Sequence, residues 1–247
     1  MDENLATGKV ALITGATRGI GKAIADEFAA LGYQLILTGT NAAQIQKLNQ
    51  HSGEHVHYIA VDFADASSSE AFWQYLQALP RLDVCINCAG INIIKPIDTV
   101  TDSELDKIIS VNYTSVYRTC RTVTPIMKRH KGGHIVNIAS IWSVISKPHR
   151  TLYSGTKTAL LGLTRALAAE LGPDNILVNS VSPGFVLTDL TRKSLSPAEL
   201  DNLQQQVPMQ RCAQPEEIAK TVAFLAGADN TYLTGQNIVI DGGFSIV

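Results

Sequence analysis

From Lys9 to Ile240, short apolar runs alternate with longer stretches of helical periodicity, and that alternation restricts the chain to few folds. The apolar runs lie at 9–14, 34–38, 56–61, 83–87, 134–139, 176–181 and 237–240. Several are continuously apolar rather than alternating, as parallel strands covered on both faces should be. The stretches between them read as helices, two of them opened by capping-box pairs, Ser67 with Glu70 and Thr101 with Glu104. Strand–helix–strand repetition of this kind predicts an α/β fold: a doubly wound, Rossmann-type parallel sheet of about seven strands with helices on both faces. No repeat, low-complexity tract or Pro/Ser-rich linker divides the 247 residues, so 1–247 is expected to form a single domain. The one long irregular connection, 187–214, follows the sixth strand, where a substrate lid belongs.

Composition excludes several function classes. Twenty basic residues against 22 acidic leave a formal charge of -2, and no basic stripe supplies the cations that nucleic acid requires. The first residues are acidic, and no run of about 18 uncharged apolar residues occurs. Neither nucleic acid nor membrane is therefore an expected partner, and the expected location is cytoplasmic. Cys85 and Cys88 have C-x-x-C spacing, but on a strand this points the two side chains to opposite faces. No second pair follows at zinc-ligand spacing, so they read as core residues and no metal site is expected.

The first strand runs into Thr14-Gly15-Ala16-Thr17-Arg18-Gly19-Ile20-Gly21 and then a helix. Glycines at such a turn let the backbone approach a pyrophosphate while the helix N-terminus offers its unpaired N–H groups. A phosphate loop of the ATPase kind would need glycine at Ala16 and Ser or Thr at Ala23, and both fail. Glycines serving only a tight turn are the plain alternative. The second strand ends in Gly39-Thr40-Asn41 with no acid to take a ribose 2′-hydroxyl. Arg18 can instead offer a planar fork to a 2′-phosphate, with Thr40 and Asn41 adding hydrogen bonds, which favours NADP(H) over NAD(H). A solvated surface arginine is the competing reading.

Further on, Tyr153 and Lys157 stand at i and i+4 of a helix, so the ammonium can lie beside the phenol and lower its pKa from about 10. Ser140 ends the fifth strand at the sheet edge where α/β proteins bind ligands.

Almost the whole chain resembles the short-chain dehydrogenase/reductase family of the classical type. The matching segments come in order: the glycine turn, Asp62 after the third strand, Asn87-Cys88-Ala89-Gly90 after the fourth, Asn112, Ser140, Tyr153-x-x-x-Lys157, and Pro183-Gly184 after the sixth. Cys88 departs from the family, which usually has a second asparagine there. The resemblance implies a catalytic set of Asn112, Ser140, Tyr153 and Lys157 that interconverts a ketone and a secondary alcohol. It further implies cofactor contacts at Gly15, Thr17, Arg18, Gly19, Ile20, Gly21, Thr40, Asn41, Asp62, Asn87, Ala89, Gly90, Tyr153, Lys157, Pro183, Gly184, Val186 and Thr188. Asn112 would hold a water joining Lys157 to solvent; a core amide is the competing reading, since it shares an apolar helical stripe with Leu105, Ile109 and Val116, and the matching set favours the functional one.

The segments 183–192 and 233–236 look most like the 3-oxoacyl-(acyl-carrier-protein) reductases, so an acyl-thioester substrate is expected, with a small alcohol, sugar or steroid as the alternative. Lys128, Arg129, His130 and Lys131 could meet an acidic carrier protein or simply neutralise a helix C-terminus. A non-catalytic dinucleotide-binding protein is the reading from a different class, and it should have lost Ser140, Tyr153 or Lys157. Ile141, Trp142, Ile145, Phe185, Val186 and the leucines of 187–203 could line an apolar pocket or simply hold the lid shut. The helices at 102–129 and 154–171 carry apolar or small residues on more than one face, including Leu163 and Leu167, and the apolar end at 242–247 adds to them. A homotetramer is the expectation.

Overall fold

The computed structural model describes residues 8–188, 191 and 196–247. Seven strands form one sheet in the order β3-β2-β1-β4-β5-β6-β7. They are β1 (Val10–Ile13), β2 (Gln34–Gly39), β3 (Val56–Ala60), β4 (Val84–Asn87), β5 (Gly133–Ile138), β6 (Ile176–Pro183) and β7 (Asn237–Ile240). Every pairing is parallel. All seven expected strands are present, and β6 runs two residues further than its apolar run because Ser182 and Pro183 pair with Val239 and Ile240 of β7.

Eight α-helices are described: α1 (Gly19–Ala30), α2 (Ala42–His51), α3 (Ala66–Gln77), α4 (Asp102–Ile109), α5 (Ser115–Arg129), α6 (Thr151–Leu171), α7 (Pro197–Gln205) and α8 (Pro215–Leu225). Strand periodicity sorts the core into two layers. On β1, Val10 and Leu12 face a cluster with Phe72 and Leu76 of α3, Val123 of α5 and Leu160 of α6. The alternate residues, Ala11 and Ile13, face Ile24 and Phe28 of α1 and Ile218 and Val222 of α8. Cys85 belongs to the first layer and Cys88 packs against the second, so the two thiols do lie on opposite faces.

Three local expectations are corrected. Thr101 and Glu104 form their capping box, but Ser67 and Glu70 do not. Asp65 caps α3 by accepting from the Ser68 N–H, Ser67 donates to Asp65, and Glu70 is drawn off to Arg118 at 2.6 Å. Between α4 and α5 a π-helical turn, Ser110–Thr114, adds a residue and rotates the register. Asn112 and Val116 therefore point inward while Leu105 and Ile109 stand partly exposed, and the apolar stripe assumed for this helix is broken. On α6, Leu163 is buried in the core against the sheet and so does not belong to a second, outward face.

The sheet edge is tied together by one hydroxyl. Thr14 Oγ1 accepts the backbone N–H groups of both Cys88 and Ala89 at 3.0 Å each, joining the ends of β1 and β4. Thr14→Val keeps the shape and orphans two amides, so unfolding should be easier by about 2 kcal/mol or more, while Thr14→Ser should stay near wild type, as read by denaturant titration.

Candidate active site

Because the sheet is parallel, the residues that follow each strand converge on one edge. At the end of β1, Gly15 (φ +68) and Gly19 (φ +55) occupy the left-handed region that glycine adopts without strain. Space is also restrictive: a Cβ on Gly15 would come within 2.9 Å of Ala89 Cα, and one on Gly21 would strike the Gly15 carbonyl. The helix α1 that follows has no side-chain cap and no acid in its first turn, so its first N–H groups are left for an anion. Gly19 faces Thr188, whose methyl would lie 3.3 Å from a Cβ there. The turn and the residues after β6 thus form the two banks of a cleft. Ile20 packs its side chain into the core beneath α1, so only its backbone can reach that cleft.

At the end of β2, Thr40 and Asn41 are exposed, and Asn41 Oδ1 is taken by the Gln44 N–H as the cap of α2, which leaves only its amide nitrogen free. Arg18 is exposed and bonds to no described side chain. Gly39 sits directly against Thr17, which a Cβ at this position would strike. Asp62 holds its own loop by accepting from the Ala64 N–H at 2.9 Å.

After β4, the Asn87 amide turns inward. It donates to Asn137 Oδ1 of β5 at 2.8 Å and to Cys120 Sγ at 3.4 Å, and Asn137 in turn donates to Thr164 of α6 at 2.9 Å. Asn87 therefore ties the central strands, as expected. Cys88 substitutes for the family's second amide with a thiol that burial pushes up to about 11. Gly90 is the point of closest approach, since a Cβ would stand 3.3 Å from Lys157 Nζ and 3.4 Å from Asn112 Oδ1.

Ser140, Tyr153 and Lys157 do come together. Lys157, 4% exposed, donates to the Ile138 carbonyl at 2.7 Å, and burial lowers its pKa to about 8. Burial raises the Tyr153 phenol, opposed by a hydrogen bond from Ser140 and the charge of Arg150. The expected lowering of the phenol by Lys157 is not what this geometry produces. The ammonium lies 5.8 Å from the ring centroid, and its own bond is to the backbone of β5. Asn112, fully buried, accepts from the Ile91 N–H at 2.8 Å and donates to the Ile91 carbonyl and to Thr156. Both of its donors are spent inside the protein.

Beyond Ser140, Trp142, Phe185 and Phe244 form a triangle of edge-on rings 4.9 to 6.3 Å apart. Phe244 was missed in the sequence because the terminal apolar segment reads as an outer surface. Only the folding of the C-terminus under the sheet edge turns it inward. Gly184 meets this terminus closely, with 2.7 Å from a Cβ to Asp241 Cα. The segment after β6 is stitched at both ends by the Val186 and Ala213 pairing. Of the expected lid, 189–190 and 192–195 lie outside the described residues.

A family model described as enoyl-(acyl carrier protein) reductase matches residues 15–245. The 3-oxoacyl-(acyl-carrier-protein) reductase FabG of Pseudomonas aeruginosa is 38% identical over 240 residues, covering 96% of this chain and 97% of that protein. The 3-ketoacyl-(acyl-carrier-protein) reductase of Brucella melitensis, solved with NADH, superposes with a TM-score of 0.88 at 29% identity over 97% of this chain and 99% of its own. ElxO with NADP bound gives 0.87 at 31% identity over 96% and 99%. Cradle, cleft and relatives agree on a nicotinamide dinucleotide, with one relative holding each form. The chain belongs to the short-chain dehydrogenase/reductase family and is an oxidoreductase acting on CH–OH groups.

Proposed function

We propose that this enzyme is an NADPH-dependent reductase of 3-oxoacyl thioesters, with Ser140, Tyr153 and Lys157 as its reacting groups. The observation that carries the reading is the phenol of Tyr153, which desolvation raises in pKa beside Ser140 at the carboxyl edge of the sheet. A phenol held neutral at neutral pH is a proton donor, and reduction of a carbonyl needs one. Bound nicotinamide supplies the hydride to the carbonyl carbon. Tyr153 gives its proton to the carbonyl oxygen, and Ser140 holds that oxygen by a hydrogen bond while charge develops on it. Lys157 lies behind Tyr153, where its ammonium can bond a ribose hydroxyl and favour return of the proton to the phenol. Asn112 acts by holding Ile91 and Thr156 in place around Lys157, with one lone pair left for a water.

The pyrophosphate would lie over Gly15, Thr17, Gly19 and Gly21 at the start of α1, with Thr188 and Val186 closing from the other bank and Pro183 and Gly184 forming its floor. Ala89 and Gly90 would line the nicotinamide end. Preference for NADPH rests on the free guanidinium of Arg18 beside an acid-free strand end, with Thr40 as its neighbour. The thioester reading is supported by the reductases named above. An acidic carrier finds fewer cations than the sequence suggested, because Lys128 is paired with Asp174 at 2.7 Å and His130 bonds the Pro80 carbonyl, so a free thioester suits the surface better. The domain assignment of 1–247 as one catalytic unit with a lid at 187–214 belongs to the same proposal, as does a cytoplasmic setting. Among the described residues no helix is long and apolar enough to cross a membrane.

Tyr153→Phe should lower kcat on an accepted 3-oxoacyl thioester by about a hundredfold or more and leave cofactor affinity intact, since only the proton donor is lost. Comparable turnover in that variant would end the mechanism. Arg18→Gln should weaken NADPH about tenfold and NADH hardly at all, by direct fluorescence titration; equal losses for both would remove Arg18 from the 2′-phosphate. This variant is the cleaner test, because an acid at Gly39 would be confounded by its collision with Thr17.

A homotetramer is part of the proposal. Tyr117 of α5 is 48% exposed, and Ile246 and Val247 at the C-terminus are 85% and 88% exposed, apolar surface of the kind that a second copy covers. Light scattering should give about four times the 26.6 kDa chain mass; a monomer mass would reject it.

A further inference from the structure

The loop between the short turn Ile141–Ser143 and α6 holds two cations that the reaction above does not use. Lys147 Nζ lies 5.2 Å, and the guanidinium carbon of Arg150 5.4 Å, from the centroid of the same Trp142 ring. Neither belongs to an ion pair found among the described residues. Arg150 Nε is buried without a hydrogen-bond partner, the one side-chain atom among the described residues in that state. With Nε enclosed, the two Nη groups of Arg150, which make no hydrogen bond to the described residues and are not enclosed, are the donors that an anion from outside can reach.

The loop is held in place. Ser146 and Ser154 share a hydrogen bond of 2.8 Å, and the His149 carbonyl accepts the Lys95 N–H at 3.2 Å. His149 itself is held at φ +67, a left-handed conformation that costs a non-glycine residue and that presents Arg150 at the start of α6. Arg150 precedes Tyr153 by three residues, and its carbonyl accepts the Ser154 N–H at 2.7 Å. The charge of Arg150 acts on the Tyr153 phenol, so an anion on Arg150 would sit on the Tyr153 side of the site, with Phe185 and Phe244 also packed on Trp142. A guanidinium held near an indole offers its fork in a fixed plane, which a planar carboxylate meets with two parallel hydrogen bonds.

We propose that Arg150 and Lys147 form a carboxylate site, so that this enzyme prefers substrates bearing a carboxylate a few bonds from the carbonyl it reduces. The carboxylate can come from a free 3-oxo acid or from the far end of a short 3-oxo-dicarboxylic acyl thioester. This rests on the placement of the reaction at Ser140 and Tyr153 and narrows the substrate class there.

The test compares acetoacetate with ethyl acetoacetate, which has the same carbonyl and no charge, using the enzyme saturated with NADPH. The ratio of kcat/KM, acid over ester, cancels any effect of Arg150 on Tyr153, since both substrates share it. Wild type should favour the acid at least tenfold. Arg150→Gln should lower the ratio at least tenfold, Arg150→Lys should restore part of it, and Lys147→Gln should lower it less. A wild-type ratio near one, or a ratio unmoved in Arg150→Gln, would overturn the proposal. Calorimetric titration of the NADPH-loaded enzyme with butyrate reads the same site without turnover, and the affinity should fall at least tenfold in Arg150→Gln. Equal affinity in both proteins, or tighter binding of inorganic phosphate than of butyrate, would count against a carboxylate site. Acetoacetate reduced with the expected ratio, beside an acetoacetyl thioester that is not reduced, would refute the thioester reading and support this one. A reduced 3-oxo-dicarboxylic thioester whose kcat/KM falls in Arg150→Gln would assign the acyl-chain source.

Discussion

Because β1 pairs in parallel with β2 on one side and β4 on the other, the chain leaves the sheet centre in two directions and opens a crevice at the carboxyl ends of β1 and β4. The candidate site is gathered there. The glycine turn must descend into that crevice without side chains, and its depth is set by contact between Gly15 and the backbone of Ala89. Thr14 locks the two strand ends at the same height, so the proposed dinucleotide cradle and the segment running to Gly90 form one surface.

The proposed reacting groups are placed by a second constraint, the burial of polar side chains in bonded sets. Asn87, Asn137 and Thr164 link β4, β5 and α6 through hydrogen bonds inside the sheet, and that linkage sets the distance of α6 from the edge. Lys157 extends from α6 to the Ile138 carbonyl, and the same burial that lowers its pKa to about 8 raises the phenol of Tyr153. One low-dielectric environment thus pushes the two groups in opposite directions, toward a neutral phenol and a readily deprotonated amine.

Arg150 shows how the same region handles charge that it does not neutralise. Its charge opposes the rise of the Tyr153 phenol while its own Nε stays unpaired. A core residue in such a position would find a partner within the protein. This guanidinium follows His149, whose backbone is held in the left-handed region, and its charge acts on Tyr153, which distinguishes it from the surface cations Lys128 and Arg211, each of which has a carboxylate of its own.

Sequence alone determined the strand and helix order, the parallel doubly wound sheet and the presence of Ser140, Tyr153 and Lys157 at its edge, because apolar periodicity and short-range spacing are local properties of the chain. The cap of α3 was misread for want of one contact: Glu70 is drawn to Arg118, 48 residues away, a pairing no local pattern contains. The inward turn of Asn112 depended on a π-helical turn that periodicity averages over, and Phe244 entered the aromatic wall only once the C-terminus folded beneath the sheet edge. The direction of the Tyr153 shift was likewise decided by tertiary structure. Spacing places Lys157 beside the phenol, but burial by distant elements determines whether charge or desolvation prevails.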